Sequence, residues 1–129
     1  MSSSTASGTD IPDRWRGASV LVTGAAGFVG RRLCLRLAGR GARVTAVVHR
    51  EEDVSRLPAG MARVVVADVA EGERMRALFE ETRPVFVFHL AARLDPNPGL
   101  ARLAEHVRDT TLSTASVLAA AAQFRPEKI

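Results

Sequence analysis

Tyrosine is absent from these 129 residues, and lysine occurs once, at Lys128. Acid/base chemistry built on a phenol beside an ammonium group therefore has no phenol here. A single cysteine, Cys34, excludes an intrachain disulfide, and no ligand spacing around it suggests a metal site. On an apolar helix face such a cysteine reads as packing. Aromatic residues make up 5% of the chain, and the arginines are scattered over several segments without an interleaved aromatic stripe. The net charge of +4 thus reads as an arginine-rich solvated surface, and no nucleic-acid partner is expected. No apolar run approaches the ~18 residues of a membrane span. The segment Met1-Ser-Ser-Ser-Thr-Ala-Ser-Gly-Thr-Asp10 has neither the basic nor the apolar region of a secretory signal. A cytoplasmic protein without a membrane partner is expected.

What remains is an ordinary globular composition, 47% hydrophobic and 25% charged, in a chain long enough for one core. Residues 1–17 read as a Ser/Thr-rich tail and lead-in, with Trp15 against the outside of the first strand or helix. Residues 18–129 read as one domain. Short, nearly continuous apolar runs at Ser19–Thr23, Arg43–Val48, Arg63–Val66 and Val85–His89 suit parallel strands covered on both faces. Helices are expected in the gaps. The first has Val29, Leu33 and Leu37 as its inward stripe and stops at Gly39 and Gly41. Glu71–Thr82 is the second, with Met75, Leu78 and Phe79 inward. After the breaker cluster Asp95-Pro-Asn-Pro-Gly99 comes a long helix, Leu100–Gln123. Its expected stripe is Leu103, Val107, Thr110, Thr114, Val117, Leu118 and Ala121. Right-handed crossovers then give an α/β, Rossmann-type doubly wound parallel sheet of order 3-2-1-4. Arg125-Pro-Glu-Lys-Ile129 reads as a fifth strand only begun.

Ser19-Val-Leu-Val-Thr-Gly-Ala-Ala-Gly-Phe-Val-Gly30 is a strand running into a glycine turn and a helix. Gly24, Gly27 and Gly30 are spaced as a dinucleotide's pyrophosphate requires. One glycine turns the chain, one admits the phosphates, and one lets helix and strand close up. The helix N-terminus adds unpaired N–H groups and a positive dipole end. The expected contacts are Gly24, Ala26, Gly27, Phe28, Val29 and Gly30.

Thr23-Gly-Ala-Ala-Gly-Phe-Val-Gly30 resembles the T-G-x-x-G-x-x-G signature of the extended short-chain dehydrogenase/reductase family, which includes NAD(P)-dependent epimerases and dehydratases. The resemblance continues through Val47-Val-His-Arg50, Ala67-Asp-Val69 and His89-Leu-Ala-Ala92. It implies adenine contacts from Asp68 and Val69 and nicotinamide-ribose contacts from Leu90, Ala91 and Ala92. It also implies a catalytic Y-x-x-x-K, which is missing here. The sequence therefore looks like the truncated, cofactor-binding front of such an enzyme, inactive alone and with no catalytic residue to name. In the long helix, Thr110 stands where the family has an asparagine of the proton relay, and Ser113-Thr114 where it has G-T. The family's helix at this position often forms half of a dimeric four-helix bundle, so a homodimer through residues 100–123 is one expected partnership. A complementary polypeptide is another.

An NAD site usually has Asp or Glu at the end of the second strand; here Arg50 follows Gly30 by twenty residues. A guanidinium binds a ribose 2′-phosphate, so NADP is the expected cofactor, with NAD the alternative and His49 or Arg31 as helpers. The competing reading of Arg50 is a solvated loop arginine. Asp68 has a rival role as cap of the second helix. His89 reads either as a base or, at the buried end of a strand, as a hydrogen-bonded core histidine. His106 reads as solvated. Two functional alternatives stay open, a non-catalytic dinucleotide sensor and one half of a split enzyme. S-adenosylmethionine is disfavoured by Thr23 and the glycine spacing.

Overall fold

The computed structural model describes residues 13–92 and 99–129. Most of the expected tail and the start of the breaker cluster, Asp95 to Pro98, lie outside the described residues. The chain runs β1 (Ser19–Thr23), α1 (Phe28–Gly39), β2 (Arg43–Val48), a 3-10 helix (Glu51–Arg56), β3 (Arg63–Val66), α2 (Gly72–Thr82), β4 (Phe86–His89) and α3 (Gly99–Phe124). The strands form one parallel sheet in the order β3-β2-β1-β4, the order expected from the sequence.

Alternation along the strands divides the core. Leu21, Val47, Val65 and Val87 point to the face covered by α2 and the C-terminal half of α3. Val20, Val22, Val44, Ala46 and Phe86 point to the face covered by α1, where Cys34 and Leu37 are buried. Trp15 packs against the cluster on this face, with its ring 4.8 Å from that of Phe86 and 6.2 Å from that of Phe88 on β4. Burial pushes the Cys34 thiol up to about 11, which leaves it a packing group.

Three helical expectations are corrected. The inward stripe of α1 is Gly30, Cys34 and Leu37, while Val29 is 62% exposed. The cause is Gly30: only a residue without a side chain can lie against the backbone of Gly24 and Ala25, and that contact fixes which face of α1 meets the sheet. In α3 only Ser116, Val117, Ala120 and Ala121 are buried, whereas Leu103, Val107 and Leu118 are exposed. The small residues seat that half of α3 on α2, and Ser116 Oγ donates to the Ala70 carbonyl at 3.0 Å. Between β2 and β3 the connection is the 3-10 helix and a turn, not an α-helix. Pro58 stops a helix there, and the segment offers few apolar residues to bury.

The sheet's order reverses between β1 and β4, which is where a doubly wound sheet opens a crevice at its carboxyl ends. At the opposite end of β4, Phe86 bridges to Lys128 in parallel, and Val87 N–H donates to the Lys128 carbonyl at 3.0 Å. The expected fifth strand does begin there. No helix among the described residues is long and apolar enough to cross a membrane.

Candidate functional site

The turn after β1 depends on the three glycines in different ways. Gly24 has φ +65°, and a Cβ there would lie 2.6 Å from the Leu90 carbonyl carbon, so it must be glycine on two counts. At Gly30 a Cβ would strike the Gly24 carbonyl and lie 2.9 Å from Ala25 Cα. At Gly27 the nearest atom would be the Gly24 carbonyl oxygen, at an ordinary 3.4 Å, and the residue is open to solvent. Gly24 and Gly30 are thus required by the fold, while the space over Gly27 is left clear. Gly27 is also the N-cap of α1, with no side chain capping the helix and no acidic residue in its first turn. The first-turn N–H groups and the positive dipole end face this space with no carboxylate in the helix's own first turn.

These elements border a cleft of about 610 Å³, inside the range of roughly 300–1,000 Å³ usual for small-molecule sites. Every residue assigned to the dinucleotide from the sequence lines it: Gly24, Ala26, Gly27, Phe28, Val29 and Gly30 from the turn, Arg50 after β2, Asp68 and Val69 after β3, and Leu90, Ala91 and Ala92 after β4. His49 lines it as well; Arg31, the other helper considered for Arg50, does not. Asp68 accepts the Ala70 N–H at 3.0 Å, and the N-cap of α2 is Glu71, without a side-chain cap. The capping role for Asp68 is therefore set aside. The exposed Asp68 carboxylate is held in a local turn at the cleft.

The cleft wall behind β4 is organised by Thr23. Its fully buried Oγ1 accepts N–H bonds from Leu90 and Ala91, both at 3.1 Å. With both lone pairs engaged, the hydroxyl proton must go to His89 Nδ1, 2.7 Å away. His89 is thereby fixed as the neutral Nε2–H tautomer, and that N–H donates to Thr114 Oγ1 at 3.3 Å. Thr114 in turn donates to the Thr110 carbonyl at 3.1 Å. The chain of bonds ties β1 to the β4 turn and to α3. His89 is thus the hydrogen-bonded histidine of the two readings, and His106 sits half-buried on α3 outside the cleft.

Burial lowers the His89 pKa below its ordinary value of 6.5, and the bond received at Nδ1 acts in the same direction. The unfolded chain then takes up the proton more readily than the folded one. Stability is complete above the ordinary value and is lost as pH falls through the folded pKa. Denaturant midpoints measured between about pH 7.5 and 5.5 are expected to fall more steeply for the parent than for His89→Gln, whose amide keeps both hydrogen bonds without titrating. Equal slopes would contradict the lowered His89 pKa.

Residues 20–129 match the sequence model of the NAD dependent epimerase/dehydratase family. The chain belongs to that family. It is 31% identical over 104 residues to dTDP-L-rhamnose 4-epimerase of Burkholderia thailandensis, a match that covers 76% of this chain and 29% of that protein. It is 38% identical over 85 residues to dTDP-4-dehydro-6-deoxy-D-allose reductase of a Streptomyces species, covering 62% of this chain and 26% of that one. An epimerase of Methanothermobacter thermautotrophicus superimposes with a TM-score of 0.79 at 29% identity, over 88% of this chain and 34% of the other. UDP-glucose 4-epimerase of Thermus thermophilus, solved in complex with NAD, gives 0.71 at 28% identity, over 81% and 34%. This member of the epimerase/dehydratase family thus spans about a third or less of the length of these relatives.

Some lining residues carry no signal in the sequence. Asp53 and Arg56 reach the cleft from the 3-10 helix, and Glu105 and Asp109 from α3; Thr110 and Ser113, already singled out in the sequence by the family resemblance, line it as well. The first pair was hidden because the segment reads as a polar connection. The second pair became visible only once α3 was seen to present its exposed N-terminal half to the β4 turn.

Proposed function

We propose that the chain is the NADP(H)-binding part of an epimerase or reductase acting on a nucleotide-linked sugar, and that it performs no hydride transfer by itself. The observation that carries this reading is the uncapped N-terminus of α1 over an open Gly27, set midway along a cleft that runs from Arg50 to Ala92. Those features suit a dinucleotide pyrophosphate between an adenosine end at β2 and β3 and a nicotinamide end at β4. When bound, the nicotinamide ring accepts or donates hydride. Asp68 and Val69 would hold adenine, and the Leu90–Ala92 backbone the ribose beside the nicotinamide. The NADP preference is supported by the end of β2: Val48 is buried, no carboxylate follows it directly, and Arg50 stands at the cleft rim. Arg50 pairs with Glu52 at 3.2 Å, an exposed pair worth little and readily exchanged for a phosphate. The absence of tyrosine supports the inactivity of this chain.

Arg50→Asp is expected to weaken NADPH binding by about 1–3 kcal/mol, the scale of a lost charge-assisted bond. NADH binding is expected to hold or improve. Calorimetric titration with both cofactors decides the matter; equal losses would show that Arg50 supports the fold and does not read the 2′-phosphate.

The apolar side chains of Leu100, Leu103, Val107 and Leu112 are exposed along α3 and border a shallow groove. This stripe favours association of α3 with a second copy of the chain or with a complementary polypeptide.

A further inference from the structure

The 3-10 helix after β2 contains a carboxylate in an unusual place. Asp53 is buried, 8% exposed, although it belongs to the polar run Glu51-Glu52-Asp53. A buried carboxylate needs partners. Here its two oxygens face two different arginines: Oδ2 lies 3.5 Å from Arg50 Nε and Oδ1 4.0 Å from Arg56 Nη1. The backbone enforces the arrangement, since Asp53 N–H donates to the Arg50 carbonyl at 3.0 Å and opens the helix. Arg56 follows at i+3, one turn on, and so lies on the same side as Asp53. Both arginine side chains remain exposed, Arg50 at 60% and Arg56 at 61%, and both line the cleft. Asp53 is thus ion-paired with both arginines. It anchors two cations at one end of the cleft; Arg50 Nη1 also pairs with Glu52 at 3.2 Å, an exposed contact that a bound phosphate would replace.

We propose that Arg56 is the second cation of the seat for a ribose 2′-phosphate and that Asp53 is the positioning residue that holds Arg50 and Arg56 around it. The inference rests on the NADP reading above and extends it to two residues that the sequence alone did not suggest. Two guanidinium groups held by one carboxylate offer a dianionic phosphate several charge-assisted bonds without first having to be ordered.

The probes are 2′,5′-ADP and 5′-AMP, which differ in the 2′-phosphate and need no hydride chemistry, titrated calorimetrically into the full chain. The parent binds 2′,5′-ADP more tightly than 5′-AMP. Arg56→Ala lowers affinity for 2′,5′-ADP about tenfold and leaves 5′-AMP within about twofold. Asp53→Asn separates positioning from simple charge. It makes the region more positive, so charge alone would tighten 2′,5′-ADP; loss of positioning weakens it about three- to tenfold, with 5′-AMP again unmoved. A variant that merely disturbs the fold lowers both probes together. Tighter or unchanged 2′,5′-ADP binding by Asp53→Asn, or parallel losses of both probes in Arg56→Ala, overturns the proposal. If Arg50→Ala is selective for 2′,5′-ADP and Arg56→Ala is not, this inference fails while the NADP reading stands. If the parent itself does not prefer 2′,5′-ADP, both fail.

Discussion

Gly27→Val is expected to abolish dinucleotide binding while the protein stays folded. The position is extended, with φ −71° and ψ 174°, which valine adopts freely. Its Cβ would meet only the Gly24 carbonyl oxygen, at 3.4 Å. An isopropyl group there fills the space in front of the α1 N-terminus. Two charge-assisted bonds lost to a pyrophosphate, at about 1.5–3 kcal/mol each, weaken binding on the order of a hundredfold or more. The helix loses only an N-cap glycine, so the melting midpoint moves by a few degrees, about 1 kcal/mol or less. Gly30→Val is the contrast. Its Cβ would collide with the backbone of Gly24 and Ala25, which cannot move without opening the turn, and a loss of about 3 kcal/mol or more is expected. Thermal melts and NADPH titrations of the two variants separate the roles. If Gly27→Val binds as the parent does, the turn is not the phosphate site.

Thr23→Val carries the second large effect. The substitution keeps the shape and removes the hydroxyl that serves Leu90, Ala91 and His89. Leu90 N–H retains the Thr23 carbonyl at 3.2 Å, but Ala91 N–H and His89 Nδ1 lose their partner. Two such groups in a half-buried setting cost about 2–3 kcal/mol. Thr23→Ser keeps the hydroxyl and is expected to stay near the parent. Chemical denaturation measures the difference. In the valine variant the His89 pKa is also expected to rise toward its ordinary value, because nothing donates to Nδ1, and an NMR titration of the imidazole follows this. Unchanged stability would mean that the hydroxyl does not organise the β4 turn.

The features that position the cleft were legible in the sequence because each depends on a local rule. The glycine spacing, the β1–α1 transition, the four strands and their order follow from neighbouring residues and from handed crossovers. What was illegible depends on contacts between distant segments. Periodicity put Val29 inward on α1, yet the closeness of Gly30 to Gly24 and Ala25 rotates it to the cleft mouth. The small residues Ser116 and Ala120 were outside the expected stripe of α3, because packing on α2 favours small side chains over large apolar ones. Asp53 has no sequence signal of its own within the polar run Glu51-Glu52-Asp53, and only the compact 3-10 turn brings it beside Arg50 and Arg56.

The proposal of NADP(H) binding in the cleft beside Gly27, without hydride transfer by this chain alone, can be tested in one experiment. The most direct test is calorimetric titration of the purified chain with NADPH, followed by a 340 nm assay of the same sample with keto and nucleotide-sugar substrates. The account predicts saturable binding of one NADPH per chain, weaker binding of NADH, and no turnover. Absence of NADPH binding, or steady turnover by the chain alone, would contradict it.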